Sequence, residues 1–203
     1  MNWQAILDEL ERKRAFAKSM GGAERLAKHA ASGKLNARER AAALFDGGTF
    51  FEIGALAGNL SEGGEYAAPA DGLVAGFGLV DGRPVLAAVE DFTVLGGSIG
   101  DAAAAKRYRL TQLAKQERVP LVFMLEGAGH RLSNTHATPS PNDLQGLAEL
   151  SGLVPMVCLV LGPSAGHGAL TAPLSDFVVM TPQAALAWIK DVMTEEFPLG
   201  KIK

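Results

Sequence analysis

The sequence predicts an α/β protein in which parallel strands are layered against helices. From Asp71 onward, short apolar runs alternate with stretches of helical periodicity. The strand-like runs are apolar along their whole length, as strands covered on both faces are. Strict alternation of this kind argues for βαβ units with right-handed crossovers.

The elements follow in order. Residues 2 to 31 are charged, with Ile6, Leu7, Leu10 and Arg14 at helical spacing, and read as an amphipathic helical arm standing apart from a compact core. Asn36 followed by Glu39 resembles a capping box that starts "ARERAAALF", and Asp46-Gly47-Gly48 ends it. The chain therefore divides into an arm, 1–32, and an α/β domain, 33–203.

"DGLVAGFGLVDGRPVLAAVEDF" is two apolar runs joined at Asp81-Gly82, the dipeptide of tight hairpin turns, and marks a sheet edge. Beyond it the reading is strand Val85 to Phe92, helix Asp101 to Glu117, strand Val119 to Leu125 and helix Leu144 to Leu153. Strand Met156 to Leu161, helix Gly166 to Leu174 and strand Phe177 to Met180 follow. On the first of these helices Ala103, Leu110, Leu113 and Ala114 form the apolar side, which leaves Lys106, Arg107 and Arg109 for a solvated face. "SNTHATPSPND", Ser133 to Asp143, has no periodicity and reads as a loop beside the strand ends.

Composition bounds the function. With 203 residues, 48% hydrophobic and 20% charged, the chain is long enough for a real core. A formal net charge of -3 gives no overall footprint for nucleic acid or an anionic membrane. The single cysteine, Cys158, sits in an apolar run and reads as a buried, inert thiol. Asp8, Glu9 and Glu11 stand where a secretory signal would be uncharged, and no apolar run approaches the roughly 18 residues that span a bilayer, so a cytoplasmic location is expected.

Three strands each run into a glycine-rich turn: Leu95-Gly96-Gly97-Ser98, Glu126-Gly127-Ala128-Gly129, and Gly162 to Gly168. Ligands bind at the carboxyl ends of strands in open α/β sheets, and glycine lets backbone N–H groups approach a ligand closely. Two facing turns can aim amides at one oxygen, and one such donor is typically worth about 2.7–4 kcal/mol in a transition state. Tight strand-to-helix turns also use glycine for purely structural reasons.

Gly162-Pro163-Ser164-Ala165-Gly166 fits the G-x-S-x-G pattern of a nucleophilic serine. Such hydrolases carry an acid and then a histidine after the serine. Of His29, His130, His136 and His167 only His167 follows Ser164, and no histidine follows Asp176, Asp191, Glu195 or Glu196. Ser164 reads more economically as a helix-start residue whose hydroxyl satisfies a free N–H. His130 and His136 lack metal-ligand spacing and read as loop residues, so no metal is expected. Glu126 and Asp91, at strand ends, are open to acid–base or helix-capping roles. "GSIGD" lacks the lysine of a P-loop.

Together, "ARERAAALFDGGTFFEIG", "DGLVAGFGLVDGRPV", "EDFTVLGGSIGDAAAAKRYRLTQLA", "VPLVFMLEGAGHRL" and "VPMVCLVLGPSAGHGALTAPLSDFVVM" resemble the carboxyltransferase (β) subunit of biotin-dependent acyl-CoA carboxylases, of the propionyl-CoA and methylcrotonyl-CoA type. The resemblance runs from about Gly33 to Ala185. It implies a crotonase-like fold of stacked βαβ units that binds an acyl-CoA while backbone amides hold the thioester oxygen as an enolate forms. Carboxybiotin, on a partner carrier, supplies the carboxyl group, and in the family biotin itself is thought to take the α-proton.

Carried over by motif, Gly127 and Ala128 occupy the first amide turn, and Gly166 and His167 the second, with His167 standing where a glycine is common. Gly96, Gly97, Ser98, Gly129 and Ala165 are the implied substrate-binding residues. The family's chain is usually more than twice as long, and its second crotonase-like half helps bind biotin. The resemblance thus implies an N-terminal half that needs a second carboxyltransferase half, a biotin carboxylase or biotin carrier subunit, and assembly as an oligomer. The alternatives are a biotin-dependent acyl-CoA decarboxylase subunit, a serine hydrolase using Ser164, and a non-catalytic half-subunit.

Overall fold

The computed structural model describes residues 2–58, 68–131 and 142–186. His136, most of the loop containing it, and the acidic residues after Leu186 lie outside these. Helices α1 (Trp3–Lys18), α2 (Ala23–Ala31) and α3 (Ala37–Leu44) precede strand β1 (Phe51–Ile53). The hairpin β2 (Leu73–Val80) and β3 (Arg83–Glu90) leads to α4 (Asp101–Glu117) and β4 (Leu121–Gly127). Helix α5 (Asp143–Ala148), β5 (Met156–Ser164), α6 (Gly166–Ala169), α7 (Thr171–Leu174), β6 (Phe177–Met180) and β7 (Ala185–Leu186) complete it.

The strands form one sheet in the order β1-β2-β3-β4-β5-β6, with β7 on β5. β1, β2 and β3 are antiparallel neighbours, and β3 to β6 are parallel. Asp81 and Gly82 both adopt positive φ, 48° and 73°, the backbone a tight hairpin needs to follow strand twist. The hairpin is not the outermost element, because β1 pairs outside β2.

Side-chain alternation divides the core. Leu121, Phe123 and Leu125 of β4 join Leu110 and Ala114 of α4 on one face of the sheet, while Val122 and Met124 meet Ala37, Ala41 and Phe45 on the other. Helix α3 starts with the capping box: Asn36 accepts from the Arg38 and Glu39 N–H groups, and Glu39 accepts from the Asn36 N–H at 2.8 Å.

Three expectations change. The arm is docked: Ala17, Met20 and His29 are buried, and the Gly21 N–H donates to Thr93 Oγ1 at 3.0 Å. A Cβ at Gly21 would stand 2.0 Å from Thr93 O, so the turn after α1 sits flush on the segment after β3. Second, Lys106 and Arg107 point inward. Lys106 donates to the carbonyls of Ala70 and Leu73, and burial pushes its pKa down to about 8. Third, β6 is apolar but uncovered, with Phe177, Val178, Val179 and Met180 all exposed.

Candidate active site

The three glycine turns meet at the carboxyl ends of β3, β4 and β5. A Cβ at Gly97 would lie 2.4 Å from Glu126 O, and one at Gly127 would lie 2.4 Å from Gly97 O, so these backbones touch with no space for side chains. A Cβ at Gly129 would lie 2.7 Å from Ala165 O and 3.4 Å from Gly166 Cα, which brings the β4 and β5 turns together in the same way.

The amides in this cluster divide by use. The Ala128 N–H donates to Gly96 O at 3.0 Å, and the Ala165 N–H to Gly127 O at 2.9 Å. Ala128, expected as an oxyanion donor, is therefore corrected: its N–H binds the neighbouring turn. Ser98 is likewise occupied, its hydroxyl donating to Leu95 O and accepting from Arg131 Nε. The N–H groups of Gly129, Gly166 and His167 make no hydrogen bond among the described residues. Gly129 was expected as a binding residue, and its amide joins those of Gly166 and His167 as a free donor.

Ser164 lies at the end of β5, not on a helix start. It is completely buried and its hydroxyl has no hydrogen-bond partner among the described residues. No base is in place to activate it and no solvent reaches it. The hydrolase reading is without support.

Beside the turns lies a cavity of about 530 Å³, lined by Leu95, Gly96, Glu126, Pro163, Phe92 and Thr93 from the strand ends, by Arg25, Lys28, His29 and Ser32 from the arm, and by Lys34 just after it. Such a volume suits a small-molecule ligand. Docking of the arm brings Arg25 and Lys28 to the wall, and the segment after it adds Lys34. Glu126 fixes that docking: its buried carboxylate accepts from Lys34 Nζ at 2.6 Å and from Arg40, with His29 Nε2 at 3.8 Å. A Cβ at Gly162 would stand 2.4 Å from Glu126 Oε1, so that glycine makes room for the carboxylate.

Glu126 is thus a structural anchor and, with its partners in place, neither a cap nor a free base. Asp91 accepts from the Thr93 N–H and hydroxyl, and burial raises its pKa.

A second buried polar chain runs behind the amides. Arg107, fully buried, donates through Nε to Asp143 Oδ2 at 2.6 Å and through Nη2 to Thr171 Oγ1 at 2.5 Å, faces Glu90 at 3.4 Å, and lies over the Phe123 ring at 4.8 Å. Glu90 accepts the Glu126 N–H at 2.8 Å, and desolvation raises its pKa. Asp143 Oδ1 pairs with His167 Nε2 at 2.6 Å, and the His167 ring meets His130 edge-on with centroids 4.5 Å apart. Burial raises the Asp143 pKa, but His167 and Arg107 outweigh it and bring it down to about 2.

His130 and His167 were read from sequence as unrelated loop and turn residues, and the fold brings them together. No spacing rule marks Arg107 or Asp143, since their partners lie far away in the chain. No group of three or more His, Cys, Asp or Glu with metal-holding geometry occurs among the described residues. Among those residues no helix is long and apolar enough to cross a membrane.

A cavity at the strand tips, walled partly by the turns that carry unpaired amides, is where open α/β folds place a ligand, and comparison with known proteins gives the family. Residues 28–195 match the carboxyl transferase domain family, and the chain belongs to it. It is 33% identical over 193 residues to methylmalonyl-CoA decarboxylase subunit alpha of Propionigenium modestum, covering 90% of this chain and 36% of that protein. It is 34% identical over 183 residues to the methylmalonyl-CoA carboxyltransferase 12S subunit of Propionibacterium freudenreichii subsp. shermanii, covering 88% and 35%.

The fold matches the transcarboxylase 12S crystal structure with methylmalonyl-coenzyme A and methylmalonic acid bound, at a TM-score of 0.82 and 31% identity over 97% of this chain and 40% of that one. The chain thus spans just over a third of the length of these curated relatives and corresponds to their N-terminal portion. Its fold is the crotonase-like carboxyltransferase fold.

Proposed function

We propose that this chain forms the acyl-CoA-binding half of a biotin-dependent carboxyltransferase. The reading is carried by a cavity rimmed by Arg25, Lys28 and Lys34 whose wall includes Glu126 and Pro163, from the same strand-end turns that present the unpaired Gly129, Gly166 and His167 amides. The cations suit the phosphates of coenzyme A. The amides suit a thioester oxygen that gains negative charge as the α-carbon becomes an enolate.

Gly127 and Gly97 hold the turns at contact distance, and Gly96 lines the cavity wall. Carboxybiotin on a partner carrier is then a second substrate, and its carboxyl group passes to the α-carbon. A second carboxyltransferase half, in another chain or segment, completes the biotin side, and the assembly is oligomeric. Relatives act in opposite directions by name, a methylmalonyl-CoA decarboxylase subunit and a propionyl-CoA carboxylase beta chain, and the same enolate site serves both. Decarboxylation is therefore the second reading.

Calorimetric titration of the protein in its native assembly with coenzyme A and short acyl-CoAs is the test. Saturable binding that weakens with salt is expected. Absence of binding at millimolar acyl-CoA removes the reading, and binding to a biotinylated partner with no carboxyl transfer in either direction leaves only a non-catalytic half-subunit.

A further inference from the structure

We infer that His167 is a side-chain base at the acyl site, able to exchange an α-proton of a bound acyl-CoA with solvent when no biotin is present. The inference rests on the acyl-CoA reading above and adds to it an activity of this chain's own residues.

The argument begins with the tautomer. Asp143 Oδ1 lies 2.6 Å from His167 Nε2, and the other oxygen of the same carboxylate takes Arg107 Nε at 2.6 Å. Arg107 is itself fixed by Thr171 and faces Glu90, so the carboxylate is held on both sides. With its pKa near 2, Asp143 is ionised at neutral pH and can only accept. The proton of a neutral His167 is therefore placed on Nε2, and Nδ1 is left as a lone pair. Nδ1 has no partner among the described residues, and the side chain is 21% exposed. This is the logic of a histidine base oriented by a buried carboxylate.

Position gives the base its substrate. The His167 N–H is one of the free amides, and the ring hangs from the same residue. A thioester whose oxygen meets that amide carries its α-carbon one atom beyond the carbonyl carbon, close to the ring. The α-carbon–hydrogen bond breaks, the proton goes to Nδ1, and the electron pair becomes the enolate whose oxygen the amides hold. Return of a solvent-derived proton from Nδ1 regenerates the same thioester. The charged and titratable groups facing the imidazole are Asp143 from α5 and His130 from the β4 turn, with Arg107 of α4 behind Asp143.

The test is deuterium incorporation into propionyl-CoA in D2O, read by mass spectrometry, with the protein in its native assembly, biotin absent, and binding measured on the same samples. Wild type is expected to exchange saturably with propionyl-CoA concentration. His167→Gln keeps an N–H for Asp143 and the backbone amide but has no basic nitrogen, and His167→Asn is a shorter replacement. Both are expected to lose on the order of a hundredfold in exchange rate. Asp143→Glu is expected to retain more exchange than Asp143→Asn.

Wild type that binds propionyl-CoA without exchanging it, or His167→Gln that binds and exchanges like wild type, overturns the inference and leaves the acyl-CoA reading standing. Failure of propionyl-CoA to bind overturns both.

Discussion

Lys34 Nζ and Glu126 Oε1 lie 2.6 Å apart, and this contact ties the segment between α2 and α3, and with it the arm, to the tip of the central strand at the wall of the cavity. Arg40 reaches the other oxygen of the same carboxylate, and both Arg40 and Glu126 are buried. Removing one member of a buried pair leaves an uncompensated charge, at a cost of about 3–5 kcal/mol. Glu126→Gln is therefore expected to lower the urea midpoint substantially and to raise protease sensitivity between α2 and α3. A midpoint equal to wild type would show that the ion cluster does not hold the arm.

Gly162 tests the same joint from the other side. A Cβ there meets the Glu126 side chain at 2.4 to 2.6 Å, and that side chain is tied to its cationic partners and cannot swing away. Gly162→Ala is expected to cost about 1–3 kcal/mol through overpacking. Gly47→Ala, where a Cβ meets nothing within 4 Å, is the control and should be neutral or slightly stabilising. Equal effects at the two positions, by chemical denaturation, would refute the account.

Asp143 gives a pH signature. Its folded pKa of about 2 lies below the ordinary value of 3.8, so its contribution is complete above pH 4 and is lost as pH falls toward 2. The size is about 2 kcal/mol. Glu90, raised by burial, works in the opposite sense, since acid relieves its buried charge. Subtracting the stability of Asp143→Asn from that of wild type across this window isolates the first effect. A difference that does not shrink on acidification would contradict the His167–Asp143–Arg107 chain.

The cations of the cavity should separate from stability. Arg25→Ala and Lys28→Ala are each expected to weaken coenzyme A binding on the order of tenfold, the scale of a lost charged hydrogen bond, with less effect at high salt. Titration calorimetry at two ionic strengths reads this directly. Unchanged affinity in both variants would move the phosphates elsewhere.

Ser164→Ala removes a buried hydroxyl that has no hydrogen-bond partner among the described residues. It is expected to leave acyl-CoA binding intact and to be neutral or stabilising. Fluorophosphonate labelling of wild type that this substitution abolished would restore the hydrolase reading.

Much of the fold was legible in the sequence because it is local. Helix Asp101 to Glu117, the Asp81-Gly82 hairpin, the Asn36–Glu39 cap and strand Phe177 to Met180 all depend on neighbours within a few residues. The failures share the opposite cause. Lys106 and Arg107 fall on a charged stripe that periodicity assigns to solvent, yet Arg107 is buried by Glu90, Asp143 and Thr171, at separations of 17, 36 and 64 residues. Ala128 was misassigned because a motif fixes where an amide lies along the chain, not which carbonyl it meets. The pairing of His130 with His167 likewise needed two strands to be set side by side.

The contact between Gly97 and Gly127 constrains how such a chain can diverge. Each position excludes a side chain because the other's backbone already fills the space. Neither can mutate first, and no change at a third residue makes room, since the obstacle is main chain. Descendants that keep this crossing must inherit both glycines together, and drift is left to the surrounding side chains.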